Sequence, residues 1–345
     1  MRRSENSRNG RNRRELIGGL TIPTTTRNIG ARRNIVLSEI RGVDVHYPSR
    51  KGIWTLAGYR GSDTFQIAGR MTLYLENGHR PDFDVIEILG QGSYGVVLSY
   101  GNPEYGEIAV KYGSYLGDDI YALFSIQRKS CSLAPCLMDL VNARYFSVEG
   151  MQFIILDRMD GNLALLKREV NKLDKLRSNK IVYAILLGLL ETFWCLYRSD
   201  LYYTDIKIEN LLFKMEHGNC RIVFGDIGSI SGSSRDRAVS TYPSNCRDSG
   251  HLRDPTIYDM TYGLMVIHLQ MMNVDVRGLL HDVHLADRRD NLDRIHSSLS
   301  PADREIMDSI YLEDWSMMPE HPEDVNRYLS KIRKTLADQI NRIII

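Results

Sequence analysis

The chain is 345 residues long, with 43% hydrophobic and 25% charged residues and a net charge of +1. That length has room for about two domains, and the composition excludes a wholly disordered chain, a collagen-like repeat and a small disulfide-stapled scaffold. No uninterrupted run of about 18 apolar residues is present, so no membrane span is expected, and the Arg- and Asn-rich start lacks the apolar stretch of a secretory signal.

The first segment is basic. Residues 1–34 hold nine arginines against Glu5 and Glu15, a net +7, which leaves −6 for the rest of the chain. An arm so charged and so poor in apolar residues cannot bury enough surface to fold, and it reads as disordered. Three readings stand side by side: a solvated tail, a nuclear-import patch around Arg11–Arg14, and a contact for an acidic partner or nucleic acid. Nucleic acid comes last, because no aromatic residues interleave with the arginines for base stacking.

Residues 35–80 form an extension with strand-like alternation at Ile53–Leu56 and Met71–Leu75 and nothing catalytic in view. From Pro81 the pattern sharpens. Phe83–Leu89 alternates as a strand and a glycine cluster ends it; Tyr94–Tyr100 and Glu107–Lys111 read as two further strands. Asp118–Lys129 has helical spacing, and Gln152–Leu156 is an apolar, β-branched strand. After Gly161 the texture turns helical, at Asn162–Lys175, at Lys180–Arg198 with its apolar run Ile181–Leu190, and in amphipathic segments from Ile257 onward. Strands first and helices later make an α+β chain with two unequal lobes. The five scattered cysteines include no C-x-x-C pair, so buried reduced thiols of a cytosolic or nuclear protein are expected, not a zinc site or a disulfide framework.

Four short strings carry chemistry. Gly90-Gln91-Gly92-Ser93-Tyr94-Gly95 is a G-x-G-x-x-G. A dinucleotide fold would run it from a strand into a helix, whereas here strand-like Val96–Tyr100 follows. The motif is therefore either an ordinary hairpin turn or a loop whose missing Cβ atoms let backbone N–H groups approach phosphate oxygens. Lys111 ends a strand sixteen residues after Gly95, as a solvated charge or as an ammonium aimed at phosphates. Asp205 and Asn210 lie five apart within Tyr203–Phe213, and Asp226 follows a β-like run, Cys220–Phe224. Asn210 and Asp226 are oxygen donors suited to hard Mg²⁺. Any one of these strings arises by chance; all four in this order do so far less often.

In that order they resemble a eukaryotic-type protein kinase of the serine/threonine kind, over about three-quarters of the sequence from Phe83 onward. The resemblance implies a two-lobed kinase-like fold, with a small β-rich N-lobe at 81–160 and a larger helical C-lobe at 161–345. It implies ATP and Mg²⁺ as cofactors. Leu89, Gly90, Gln91, Gly92, Ser93, Tyr94, Gly95 and Val97 would enclose the nucleotide, and Lys111 would hold its α- and β-phosphates. Asp157 and Met159 would offer backbone groups to adenine beside a gatekeeper Leu156. Asp205 would orient the substrate hydroxyl and accept its proton, Lys207 would steady the γ-phosphate, and Asn210 and Asp226 would bind the metal. Asp259 would anchor the catalytic loop, and Thr241 to Asp248 would close the activation segment.

The sequence also departs from the pattern. Tyr203-Thr204 stands where kinases carry His-Arg, so the usual arginine receptor for a phosphorylated loop is missing, and activity independent of that phosphorylation is expected. Kinases pair the lysine with a helical glutamate some fifteen or more residues later. Here Asp118 and Asp119 come seven and eight residues after Lys111, either as complements to a helix N-terminus or, for Asp119, as the lysine's partner. The leading expectation is transfer of a γ-phosphate to Ser/Thr hydroxyls of protein substrates. The alternatives are a pseudokinase scaffold and a small-molecule phosphotransferase. Drift around a preserved catalytic set, with a basic arm, resembles kinases of large DNA viruses, which implies action in the cytoplasm or nucleus of a host cell.

Overall fold

In the computed structural model the described residues are 35–47, 53–58, 61–92, 95–113, 116–134, 136–216, 219–232, 241–243, 256–311 and 321–343. The basic arm at 1–34, the Ser93-Tyr94 pair and Asp248 lie outside them. The described chain divides into two units, one drawn from residues within 24–124 and 141–160, the other from residues within 125–140 and 161–343.

The first unit is β-rich. It holds β1 (Ile40–His46), β2 (Ile53–Gly58), β3 (Gly61–Gln66), β4 (Arg70–Leu75), β5 (Asp82–Gly92), β6 (Gly95–Asn102), β7 (Gly106–Tyr112), β8 (Ala143–Val148) and β9 (Met151–Asp157). Helix α1 (Gly117–Arg128) contributes to it as far as Phe124. Seven strands form one antiparallel sheet in the order β1-β4-β5-β6-β7-β9-β8, and β2 pairs with β3 as a separate hairpin. Period-two alternation sends Leu98, Tyr100, Ile108, Val110, Phe153 and Ile155 to one face, where they meet Leu37, Met71, Leu73 and Phe83 in a buried cluster. Each fully buried Leu, Ile or Phe there contributes about 1.5–3 kcal/mol. Buried tyrosines keep their polar tips satisfied: the Tyr100 hydroxyl lies 2.8 Å from that of Tyr112 and donates to the Ala68 carbonyl at 2.5 Å.

The extension at 35–80 is thus part of the sheet, through β1 and β4. Arg144 of β8 donates to the carbonyls of Leu37 (3.0 Å) and Ser38 (2.8 Å), so the sheet curls until its two edge strands approach. That curl shields backbone groups which an open edge exposes. Strands β1, β3 and β8 were not expected from the sequence. In β8 the side chains of Ala143 to Phe146 are all half-buried, so no alternation marks it. The glycine motif does not end its strand either. β5 runs through Gly90 and Gly92, and β6 starts at Gly95, so the motif is itself a hairpin.

The second unit is mainly helical. It contains α2 (Ser130–Leu133), β10 (Gly161–Asn162), α3 (Leu163–Val170), α4 (Lys175–Arg198), β11 (Tyr202–Tyr203), β12 (Leu211–Glu216), β13 (Asn219–Phe224) and β14 (Ile230–Ser231). After these come α5 (Ile257–Met271), α6 (Leu285–Ser298), α7 (Pro301–Ile310) and α8 (Pro322–Arg342). The single helix expected over Asn162–Lys175 is cut at Val170. Asn162 caps α3 by accepting from the Leu165 N–H, and Asp174 caps α4 by accepting from the Arg177 N–H, so α4 begins five residues before the expected Lys180. Helix α4 is long and apolar enough to cross a membrane by length and composition alone, yet 67% of its apolar window is buried inside the protein. It packs against α5 and α8. The separation of a strand-rich unit from a helical one is that of an α+β chain.

The expectation of reduced cysteines fails at one pair. Cys136 and Cys195 are disulfide-bonded, with Cα atoms 6.2 Å apart. Their 59-residue separation leaves no local spacing to read; the pairing arises because the segment after α2 lies along α4. Cys220 is buried, as expected, whereas Cys131 is exposed, against that expectation.

Candidate functional site

In the β-rich unit the glycine hairpin places Gly92 opposite Gly95 and Gly90 opposite Val97. Gly95 has no room for a side chain, since a Cβ there would fall 2.1 Å from the Tyr112 carbonyl oxygen. Leu89 is half-buried, Gln91 exposed, and Val97 is the cross-strand neighbour of Lys111. Lys111, next to last in β7, donates from Nζ to Asp119 Oδ1 at 2.7 Å. Asp119 sits in the first turn of α1, and both side chains are largely out of water, at 18% and 7% exposure. Of the two aspartate readings left open by the sequence, the geometry selects the ion pair for Asp119. The connection from β7 is short enough for an acid eight residues on to reach the ammonium. Leu156 and Met159 are buried, and the Asp157 N–H is fixed by the Asn142 carbonyl at 3.1 Å.

In the helical unit the loop between β11 and β12 carries Asp205, Lys207 and Asn210. Its apolar residues Ile206 and Ile208 are buried, and the Ile208 carbonyl accepts from the Leu163 N–H at 3.1 Å. Helix α5 passes so close that a Cβ on Gly263 would lie 2.6 Å from Ile206 Cδ1. Asp259, expected to tie down this loop, forms with Thr256 the capping box that starts α5. Tyr203 is fully buried with its ring 4.8 Å from that of Phe224.

These anchors hold a dense polar cluster. Asp205 Oδ2 accepts from Lys207 Nζ at 2.6 Å, and Oδ1 accepts from the Thr241 N–H at 2.9 Å. Lys207 Nζ also donates to Thr241 Oγ1 at 3.1 Å. Asn210 Nδ2 donates to the Asp205 carbonyl (2.9 Å) and to its Oδ2 (3.1 Å), which leaves the carboxamide oxygen as the Asn210 atom suited to a cation. Burial pushes the Asp205 carboxyl up. The hydrogen bonds and charge of Lys207, with the hydrogen bonds from Thr241, override that and hold it below the usual carboxylate range.

Asp226 reaches the same neighbourhood through a hairpin. Strands β12 and β13 pair Leu211 with Phe224, and the Gly225 N–H donates to the Asn210 carbonyl at 2.9 Å. Asn210 and Asp226 therefore flank one end of the hairpin. Ser229 donates to Asp226 Oδ2 at 2.9 Å and orients it. A carboxylate and a carboxamide oxygen are donor types that suit a hard divalent cation. Among the described residues no group of three His, Cys, Asp or Glu is arranged to hold a metal, so any metal reading rests on the Asn210–Asp226 pair. Sequence reasoning placed Thr241 in a substrate segment but not in hydrogen-bond contact with Asp205. A sequence separation of 36 hides that contact, and the shared polar cluster is its only signal.

No known family model matches the chain. Over 194 residues, 54% of its length, the chain is 27% identical to Protein kinase C-like 1B of Caenorhabditis elegans, and the match spans 26% of that protein. The similarity is distant, and it points to a kinase relationship.

Proposed function

We propose that the chain is a protein kinase with a two-lobed kinase-like fold, which transfers the γ-phosphate of ATP to Ser/Thr hydroxyls of protein substrates. The observation that carries the reading is the cluster of Asp205, Lys207, Asn210 and Thr241, in which the carboxylate is held by three hydrogen-bonding partners. Phosphoryl transfer needs little covalent work from the protein; positioning and charge stabilisation supply most of the rate.

In this reading Asp205, kept anionic, is a weak base whose main task is to orient the incoming hydroxyl. Lys207 steadies the γ-phosphate and the Thr241 segment lies beside the acceptor. Asn210 and Asp226 hold Mg²⁺, which when bound neutralises charge on the phosphate oxygens. Lys111, oriented by Asp119, holds the α- and β-phosphates, with the glycine hairpin of Gly90, Gly92 and Gly95 over them. The backbone at Asp157 and Met159 takes the base. Thr204 occupies the position of the missing arginine and donates from its hydroxyl to the Ser229 carbonyl at 3.2 Å, which supports activity without activation-loop phosphorylation. The basic arm is assigned to an acidic or nuclear-import partner, in the cytoplasm or nucleus.

Incubation with γ-labelled ATP, Mg²⁺ and casein, followed by phosphoamino acid analysis, tests the reading. Label on phosphoserine or phosphothreonine is expected. Label on small alcohols alone would support a small-molecule phosphotransferase, and nucleotide binding without transfer would support a pseudokinase.

A further inference from the structure

The face of the first unit's sheet that turns away from its apolar cluster carries two charged groups. Val97, Ser99, Glu107, Ala109, Lys111 and Leu156 share it by strand alternation and register. Lys111 and Asp119 stand toward one end. Glu107, four residues back along β7 and so about 13 Å away, stands toward the other. There Arg158, just past β9, turns its side chain back onto the sheet. Its Nε lies 3.4 Å from Glu107 Oε2 and its Nη2 3.5 Å from Glu87 Oε1, while Nη1 donates to the carbonyl of Met159. The Ser99 hydroxyl donates to Glu107 Oε2 at 3.0 Å. The Arg158 and Glu107 side chains are only 7% and 8% exposed.

A guanidinium and a carboxylate taken this far out of water add little net stability, because desolvation offsets their attraction. What a planar guanidinium fork does supply is orientation, as it grips several acceptors in fixed directions. The fork here hydrogen-bonds one backbone carbonyl of the 157–159 segment and the Glu87 carboxylate on β5, and it ion-pairs with the Glu107 carboxylate on β7. We propose that Arg158 is a positioning residue that locks the 157–159 backbone in one orientation and so makes the nucleotide site selective for adenine over guanine. The inference rests on the reading that this backbone takes the base. The two purines reverse their pattern at the edge concerned: adenine offers an amino donor where guanine offers a carbonyl acceptor. A backbone clamped by Arg158 satisfies the first and leaves buried polar groups unpaired against the second. A backbone free to turn its peptide accommodates both.

Calorimetric titration of the full chain with ATP and with GTP, each with Mg²⁺, tests this. Wild type is expected to prefer ATP by at least about tenfold, the scale of one mismatched buried hydrogen bond. The Arg158→Met/Glu107→Gln double variant removes both charges together and keeps an acceptor for Ser99. It is expected to retain its melting temperature and to narrow the preference to within about threefold, chiefly through weaker ATP binding. Arg158→Lys, which keeps the charge and loses the fork, is expected to fall between. A folded double variant with the wild-type preference overturns the inference. So does a wild type that binds both nucleotides equally, and so does a double variant that fails to fold while Arg158→Lys keeps the full preference, since the pair is then structural only. A wild type that binds neither nucleotide overturns the base-binding reading itself. Binding with the expected preference but no phosphate transfer overturns the kinase activity and leaves the Arg158 role standing.

Discussion

Lys111 Nζ and Asp119 Oδ1 lie 2.7 Å apart, an ion pair between β7 and the first turn of α1 that is largely withdrawn from water. In the proposed reading, removing the acid takes away the carboxylate that orients the ammonium toward phosphate. Asp119→Ala is expected to lower phosphate transfer by about 10²-fold, the scale seen when one preorganised electrostatic contact is removed. Asp119→Glu adds about 1.5 Å of side chain in a buried position and is expected to recover only part of that loss. Steady-state kinetics on the two variants check this; equal rates for wild type and Asp119→Ala would remove the pair from the mechanism.

Thr241 touches two other members of the cluster, accepting from Lys207 and donating its N–H to Asp205. Thr241→Val keeps the backbone donor and loses the hydroxyl, which is among the groups that hold the Asp205 carboxyl down. In the proposed reaction the carboxylate acts when ionised, so activity is expected to fall as pH drops through its pKa. Without the hydroxyl that acidic limb is expected to move to higher pH, while kcat at neutral pH falls by about tenfold or less. A pH–rate profile of the two proteins provides the comparison.

Gly95 is held by space. An added Cβ would meet the Tyr112 carbonyl at 2.1 Å, so Gly95→Ala forces the β5–β6 hairpin off β7. A destabilisation of about 1–3 kcal/mol is expected, together with a raised KM for ATP. Denaturant titration and kinetics read the two effects separately. A stable variant with unchanged KM would show that the hairpin does not cover the nucleotide.

The α5–α7 contact gives a pH-dependent test of stability. Asp303 accepts from Tyr183 at 2.8 Å, from His268 Nε2 at 3.1 Å, and from the Ser300 hydroxyl. Burial pushes its carboxyl up, and the hydrogen bonds from His268, Ser300 and Tyr183 outweigh that and hold it below the usual range. A depressed folded pKa contributes stability above the unfolded value, near 4, and loses it as pH falls through the folded value. Asp303→Asn is therefore expected to cost about 2–4 kcal/mol at neutral pH, and less in acid. Urea unfolding at pH 7 and pH 3 measures the difference, and a gap that does not shrink in acid contradicts the linkage.

What the sequence made legible follows physical range. Asp205, Lys207 and Asn210 lie within six residues, and Gly90 to Gly95 within another six, so each set is visible as a short string, and the order of the strings, through its resemblance to kinases, suggested their roles. Asp226 was set beside Asn210 by the oxygen-donor chemistry of the two residues and by the same resemblance. The Thr241 contact, the Cys136–Cys195 bond and the Arg158–Glu107 pair each join segments tens of residues apart and leave no periodic trace. Strand β1 was missed although it pairs with the expected β4, because the register shift between Ile40 and Gly42 breaks the alternation of Ile40 with Val43 and Val45. The early start of α4 rests on one side chain, the Asp174 cap, which a reading by apolar period overlooks.

In the proposed reaction Asp205 acts together with the Asn210 and Asp226 oxygens in metal-assisted phosphate transfer. The most direct measurement compares incorporation of γ-labelled phosphate from Mg²⁺–ATP into casein by wild type, Asp205→Ala and Asp226→Asn at matched thermal stability. The account predicts clear incorporation by wild type and a loss of at least about 10³-fold in each variant. Equal incorporation by all three proteins, or none by a folded wild type that binds ATP, would contradict it.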